Sequence, residues 1–332
     1  MTRRTVLVTG ATGLLGREVA KTFRLGGWHV KAAGYSRADG VDVLRVDVRS
    51  EDELAKVLDE NKSLSTPAEA SPSWRQAEPS WASTAAEKAP DKVDQDPEGA
   101  RALNVAASRS LAKLAASRAI LVIYVSTDYV FPGTPGDAPY NADAAPKPAN
   151  LYGQTKADGE RAVLEEFTRA GKQGLAVVLR VPVLYGHAET PAESAVNTLM
   201  DSVWKAQTEG ARMKMDHWAR RFPTNTEDVG RVCRDVAAKY LDAAERQGLP
   251  RILQFSSQDA MTKYDICQLF GEVMGLSTAG IEPNTQANDP NASAQRPYDC
   301  HLRTEELEQL GIDVSTCDFT AWWRREVGAF RK

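Results

Sequence analysis

The sequence predicts an α/β fold, a doubly wound and mostly parallel sheet with a smaller C-terminal substrate domain. Three observations predict it. Short apolar runs alternate with helical patterns from residue 5 to about 185. The first run meets three glycines, Gly10, Gly13 and Gly16, and a helix pattern follows at once. Past Gly186 the alternation loosens into a ring-rich, irregular stretch. The 332 residues are 42% hydrophobic and 26% charged, enough for one large domain or two smaller ones. We expect a Rossmann unit from 1–185 plus about 226–256. Residues 186–225 plus 257–332 are expected to form the smaller unit.

The opening turn carries the clearest chemistry. Val6, Leu7 and Val8 read as a buried parallel strand, and Leu15, Val19 and Phe23 recur on one helix face. Between them Gly10 permits a tight turn. Gly13 lets backbone approach a pyrophosphate, and Gly16 lets helix pack on strand. The helix N-terminus then offers free N–H groups to phosphate.

His29, Val30, Lys31, Ala32 and Ala33 predict the second strand, which ends near Tyr35, Ser36 and Arg37. An acidic residue after this strand would bind a ribose 2′-hydroxyl, whereas a basic one suits a 2′-phosphate. Arg37 therefore favours NADP, and Arg17 adds positive charge beside the third glycine. Val43 to Val48 predicts the third strand, with Asp47 at its end suited to an adenine amino group. A helix over 51–61 follows, with Ser50 as its N-cap and Leu54, Val57 and Leu58 on one face.

The fourth strand should come next as a near-continuous apolar run. Residues 63–84 instead are rich in Ser, Pro, Ala and Trp, with neither Val nor Ile. We expect an irregular or disordered insert there and a missing fourth strand. Regular patterning resumes with a helix over 97–117, which places Leu103, Ala107, Leu111 and Leu114 on one face. Ile120 to Val125 is a strong strand ending at Ser126 and Thr127, and Ala176 to Val181 is another. Further helices are expected over 191–205, 226–244, 262–274 and 303–310, with a strand over 252–255. Lys263 and Tyr264 read as surface residues.

Tyr152 and Lys156 lie four residues apart on a predicted helix and share a face. Thr127 sits at a strand's C-terminal end, where open α/β sheets place ligands. This set suits carbonyl reduction. Tyr152 donates a proton, Lys156 lowers the tyrosine pKa and binds the nicotinamide ribose, and Thr127 orients the substrate oxygen.

The segments GATGLLG, STDYVF, YGQTK and RVPVLYG resemble the extended short-chain dehydrogenase/reductase superfamily. More narrowly they resemble dTDP-4-dehydrorhamnose reductase and the regulatory beta subunit of methionine adenosyltransferase. MDHWARRFPTNTEDVGRVCRDVA, MTKYDICQLF and AQRP are similar to the beta subunit. The resemblance implies NADP contacts at Thr12, Gly13, Leu14 and Leu15, and at Tyr35, Ser36 and Arg37. It implies further contacts at Asp47 and Val48, at Ala85, Ala86 and Lys88, and at Tyr152, Lys156 and Leu184. It also implies a protein that regulates a catalytic partner making S-adenosylmethionine, with no turnover of its own. The alternative is an NADPH-dependent reductase of a nucleotide-linked 4-keto sugar, with Arg220, Arg221 and Arg296 as cations for the nucleoside diphosphate.

Composition excludes other classes. A net charge of −4 and a pI near 5.7 argue against a nucleic-acid surface. No apolar run approaches the ~20 residues needed to span a bilayer. Cys233, Cys267, Cys300 and Cys317 form no CxxC pair, which suits reduced thiols in a cytosolic or nuclear setting. His29, His187, His217 and His301 show no metal-ligand spacing, so no metal is expected.

Overall fold

Val6, Leu7 and Val8 form the buried middle of β1 (Thr5–Thr9). The computed structural model describes residues 4–63, 79–287 and 295–329. From β1 the chain turns through Gly10 into α1 (Leu14–Leu25), β2 (His29–Gly34) and the short β3 (Leu44–Arg45). After α2 (Glu51–Ser63), β4 (Ser80–Ser83) enters the sheet. Helices α3 (Pro90–Gln95) and α4 (Pro97–Arg101) then lead through a π-helical turn (Ala102–Ala106) into α5 (Ala107–Ser117). β5 (Leu121–Thr127), α6 (Leu151–Arg169) and β6 (Ala176–Val181) continue the alternation. Beyond them come β7 (Leu184–Tyr185), α7 (Leu199–Lys205), β8 (Met213–Asp216) and β9 (Thr224–Asn225). The described chain ends with α8 (Thr226–Asp242), β10 (Ile252–Gln254), α9 (Lys263–Met274), β11 (Ile281–Asn284), α10 (Glu305–Gln309) and α11 (Phe319–Glu326).

Among the described residues seven strands form one sheet in the order β10-β6-β5-β4-β1-β2-β3. All its pairings are parallel. The chain winds outward from β1 through β2 to β3. It then returns to the other side of β1 as β4 and winds the opposite way. The reversal opens a crevice beyond the C-terminal ends of β1 and β4, the place where such sheets bind ligands.

Two helical layers cover the sheet. On one face Val19, Ala20 and Phe23 of α1 pack with Val229, Val232, Cys233 and Val236 of α8 over Val6 and Val8. Gly230 allows this close approach, since a Cβ there would lie 2.8 Å from Thr22 Oγ1. On the other face Leu54 and Leu58 of α2, Leu111 and Ala115 of α5, and Val163 and Phe167 of α6 pack on Leu7, Val122 and Val178.

The expected gap in the sheet is filled. Ser80, Trp81, Ala82 and Ser83 are all buried and pair in parallel with both β1 and β5. The expectation of a missing strand at 63–84 is therefore corrected for its last residues. The insert expected over 64–78 lies outside the described residues. A four-residue strand offers each sheet face only alternate side chains. Trp81 alone fills one face against Leu7, Leu54, Leu111 and Val122. Ala82 meets Val6, Val8 and Ile123 on the other. The Trp81 indole nitrogen donates to Thr9 Oγ1 at 3.1 Å, so its one polar atom is satisfied. A search for Val and Ile passes over such a strand.

The C-terminal half departs from expectation at two points. The helix expected over 191–205 is a 3₁₀ turn (Pro191–Glu193) followed by the shorter α7. A further helix, α11, follows α10, capped by Asp318, whose carboxylate accepts from Ala321 N at 2.6 Å. Its Trp322 and Trp323 pack with Tyr185, Phe270 and Phe319 in a third apolar cluster, where rings rather than aliphatic periodicity supply the burial. Among the described residues no helix is long and apolar enough to cross a membrane.

Trp81→Ala is expected to lower unfolding free energy by about 3–5 kcal/mol, the usual cost of truncating a buried large aromatic. Urea unfolding checks this. A loss below ~1 kcal/mol would contradict the placement of Trp81 in the sheet interior.

Candidate functional site

The glycine turn has the geometry of a phosphate cradle. Gly10 adopts a φ of +73°, and a Cβ there would also press on the Ala85 backbone nitrogen at 2.8 Å. A Cβ at Gly16 would lie 2.1 Å from the Gly10 carbonyl oxygen, so helix and turn touch only because residue 16 is glycine. Gly13 is the N-cap of α1 without a side-chain cap, and the first turn of α1 holds no acidic residue. The positive end of the helix therefore faces the crevice uncompensated. Leu14 is buried and Leu15 packs on the core, which anchors the turn from below. These residues fit a dinucleotide.

Three cations from separate elements converge above the turn. Arg17 donates to Thr12 O at 2.7 Å and to Glu193 Oε2 at 2.5 Å. Arg37 donates to Thr12 O at 2.5 Å, to Glu189 Oε2 at 2.8 Å and to Glu193 Oε1. Lys88 Nζ donates to the Glu193 carbonyl oxygen. Burial works to raise the Glu193 pKa. Hydrogen bonds from Arg17 and Arg37 outweigh it and bring the group down to about 2. Burial likewise lowers Lys88, against the attraction of Glu193 and Glu87.

The remaining predicted cofactor positions follow β2, β3 and β4 or lie in β7. Tyr35 is half exposed, with the Arg45 and Arg49 guanidinium groups 5.5 and 5.7 Å from its ring centre. Ser36 lies beside it in the sequence, after β2. Asp47 is bound to Arg49 at 2.7 Å, which holds its carboxyl below the ordinary range. Val48 packs under it on the second core cluster. Ala85 and Ala86 follow β4. Leu184 lies in β7, and its carbonyl accepts from Ser194 Oγ at 2.7 Å.

The strand-end group is assembled differently from expectation. Thr127 Oγ1 donates to Asp128 Oδ1 at 2.9 Å and accepts from Tyr129 N at 3.2 Å. Burial raises the Asp128 pKa to about 7, against Thr127 and the charge of Arg221. Tyr152 packs edge-on to Tyr129, with ring centres 6.1 Å apart. Burial holds Tyr152 above its ordinary value, against a hydrogen bond with Thr127. Lys156 points to the Val125 carbonyl at 2.8 Å and lies 4.1 Å from the Tyr124 ring centre. Burial brings it down to about 7, with Glu160 opposing.

A cleft beside Tyr129 is lined by Val183, Val196, Leu199 and Ile266 with Arg221, Lys263 and Arg296. Lys263, expected on the surface, faces this cleft instead. Its pKa is lowered by burial and then by Arg221 and Arg296. Arg296 Nη2 donates to both carboxylate oxygens of Asp91 at 2.9 Å, and Arg220 lies 3.4 Å from Asp299. The ring-rich segment therefore delivers Arg221 to the cleft and commits Arg220 to an ion pair.

The RmlD substrate binding domain model matches residues 4–329. The chain belongs to the RmlD substrate binding domain family. Within that family it is 40% identical over 320 residues to "Methionine adenosyltransferase 2 subunit beta" of Xenopus tropicalis, covering 94% of this chain and 84% of that one. It is 39% identical over 313 residues to the protein of the same name from Pongo abelii, with the same coverage. Its fold is similar to a dTDP-4-dehydrorhamnose reductase of Bacillus anthracis solved in complex with NADP. That likeness has a TM-score of 0.74 and 17% identity, covering 98% of each chain.

Two further features of this RmlD-family chain escape sequence reasoning. Asn104 is buried in the π-helical turn. Its amide bonds Glu87 N and O at 2.9 and 3.1 Å and Thr155 Oγ1 at 3.1 Å, tying the segment after β4 to α6. The available signal was a polar residue three and seven positions before Ala107 and Leu111. Arg180 and Glu160 form a buried pair at 2.8 and 3.0 Å, and Arg180 also bonds Ala142 O at 3.1 Å. This pair fixes α6, and with it Tyr152 and Lys156, against β6.

Arg180→Ala is expected to cost about 3–5 kcal/mol, because it leaves the Glu160 charge buried and unpaired. Double replacement with apolar residues should cost less, and chemical denaturation separates the two. Lys156 makes a pH prediction. Its folded pKa of about 7 lies below its ordinary 10.5, so the unfolded chain binds more protons between those values. Its contribution to stability therefore rises with pH from about 7 to about 10.5. Unfolding free energies of wild type minus Lys156→Met, measured across this window, should increase with pH; a flat difference contradicts it.

Proposed function

We propose that the chain binds NADP in the crevice between β1 and β4 and acts as a regulatory beta subunit of methionine adenosyltransferase in S-adenosylmethionine biosynthesis. The observation that carries this reading is identity of 39 to 40% to beta subunits, spread over 94% of the chain. The glycine turn, the uncapped α1 N-terminus and Arg37 support the cofactor part. Gly10, Thr12, Gly13, Leu14, Leu15 and Gly16 would hold the pyrophosphate side, and Arg17 and Arg37 the 2′-phosphate. Tyr35, Ser36, Asp47 and Val48 would flank the adenosine. Ala85, Ala86, Lys88, Tyr152, Lys156 and Leu184 would flank the rest. Residues 1–185 plus about 226–256 form the cofactor unit in this reading, and 186–225 plus 257–332 the smaller one.

The arrangement around Tyr152 supports binding without turnover. A tyrosine held above its ordinary pKa, beside a lysine directed to a backbone carbonyl, is poorly set to give up a proton near neutrality. The second reading is a reductase of a nucleotide-linked 4-keto sugar. Retention of Thr127, Tyr152 and Lys156 favours it, as do Arg221, Lys263 and Arg296 at the apolar cleft. A bound NADPH would supply the hydride. Tyr152 would donate its proton to the carbonyl oxygen, and Thr127 would orient that oxygen.

Affinity capture with a methionine adenosyltransferase catalytic subunit, run beside NADPH oxidation on dTDP-4-dehydrorhamnose, separates the readings. We expect a stable complex and negligible oxidation. Turnover at ordinary enzyme rates without complex formation would overturn the regulatory reading.

A further inference from the structure

The cations assigned to the dinucleotide phosphate hold carboxylates of the chain's own C-terminal half. Glu193 ends the 3₁₀ turn Pro191–Glu193, and its carboxylate bridges Arg17 and Arg37. Glu189 adds a second carboxylate on Arg37 at 2.8 Å and lies 3.5 Å from Arg17. Both guanidinium groups also bond the Thr12 carbonyl, so they lie folded across the glycine turn. A planar guanidinium fork donates to carboxylate or phosphate oxygens in the same geometry.

We propose that Glu193, assisted by Glu189, is an internal competitor for the 2′-phosphate of the dinucleotide and sets how strongly phosphorylated and unphosphorylated dinucleotides are discriminated. This inference rests on the NADP reading above. In this role Arg37 Nη1 exchanges the Glu189 and Glu193 carboxylates for phosphate oxygens, and segment 187–193 is released as it does so.

The attachments of the segment suit a hinged element. Its C-terminal end is pinned by Ser194 Oγ to Leu184 O at 2.7 Å, and Asn197 Nδ2 bonds Gly186 O at 2.9 Å. Between these anchors it is held by the ion pairs to Arg17 and Arg37, by Lys88, by the Arg17 bond to His187 O at 3.3 Å, and by a His187–Glu326 contact at 2.8 Å. The Glu193 carboxylate is only 9% exposed, whereas that of Glu189 is 55% exposed. Release returns Glu193 to water as the phosphate replaces it, so charge is exchanged at Arg37 rather than stripped from it. The exchange reduces apparent affinity by the fraction of molecules in which Arg37 is free of carboxylate.

The test measures NADPH and NADH dissociation constants by fluorescence for wild type, Glu193→Gln, Glu189→Gln and the double variant, with thermal unfolding to confirm that each is folded. Glu193→Gln should tighten NADPH about tenfold by removing that penalty, and NADH less than about threefold. Glu189→Gln, at an exposed position, should give a smaller gain in the same direction. In wild type, NADPH should increase hydrogen exchange of residues 187–193. Measurable wild-type NADPH binding that Glu193→Gln leaves unchanged or weakens would overturn the competitor role and leave the NADP site standing. Equal tightening of NADH would overturn the assignment to the 2′-phosphate. Absence of NADPH binding in every folded variant would overturn the NADP reading itself.

Discussion

The structure depends on β4 pairing with β1 on one side and β5 on the other. Four residues carry that junction. They join the half of the sheet that holds the glycine turn to the half that holds Thr127, Tyr152 and Lys156. Parallel strands need both ladder partners, because a buried strand edge leaves N–H and C=O groups without water. Trp81 adds the side-chain half of the junction through its burial and its bond to Thr9. With the junction in place, the chain leaves β1 and β4 for helices on opposite faces of the sheet, and the crevice lies at that switch point.

Electrostatics then divide the crevice into two unlike ends. At the glycine turn, Arg17 and Arg37 meet the carboxylates of Glu189 and Glu193. Around Tyr152 and Lys156, burial dominates. It raises Asp128 and Tyr152 and lowers Lys156, so each drifts toward its neutral form.

Much of the sheet was legible because its signals are local. β1, β5 and β6 are apolar runs long enough to exclude other readings, and the glycine spacing at β1 encodes backbone conformation directly, as the positive φ of Gly10 and the Gly16 contact bear out. β4 was not legible. Its strand character comes from the two neighbours it pairs with and the hole that Trp81 fills. α11 was obscured for a related reason, since its burial is carried by rings clustered with residues far away in sequence. The position of Tyr152 and Lys156 on one helix was legible from their spacing, but the direction of the Lys156 ammonium was not. A carbonyl of β5, and not its helix neighbour, receives it.

By itself the sequence determined the fold class, the dinucleotide turn and the basic character of the residue after β2, because each follows from the chemistry of adjacent residues. Only the tertiary structure decided what those residues meet. Arg17 and Arg37 read alone are open cations. Folded, they face Glu189 and Glu193, more than 150 residues away along the chain. Lys263 reads alone as surface, yet α9 turns it into a cleft. The reason is physical. Backbone conformation is set within a few residues, whereas the charge and burial that fix a side chain's protonation and partners are set by whatever the fold packs against it.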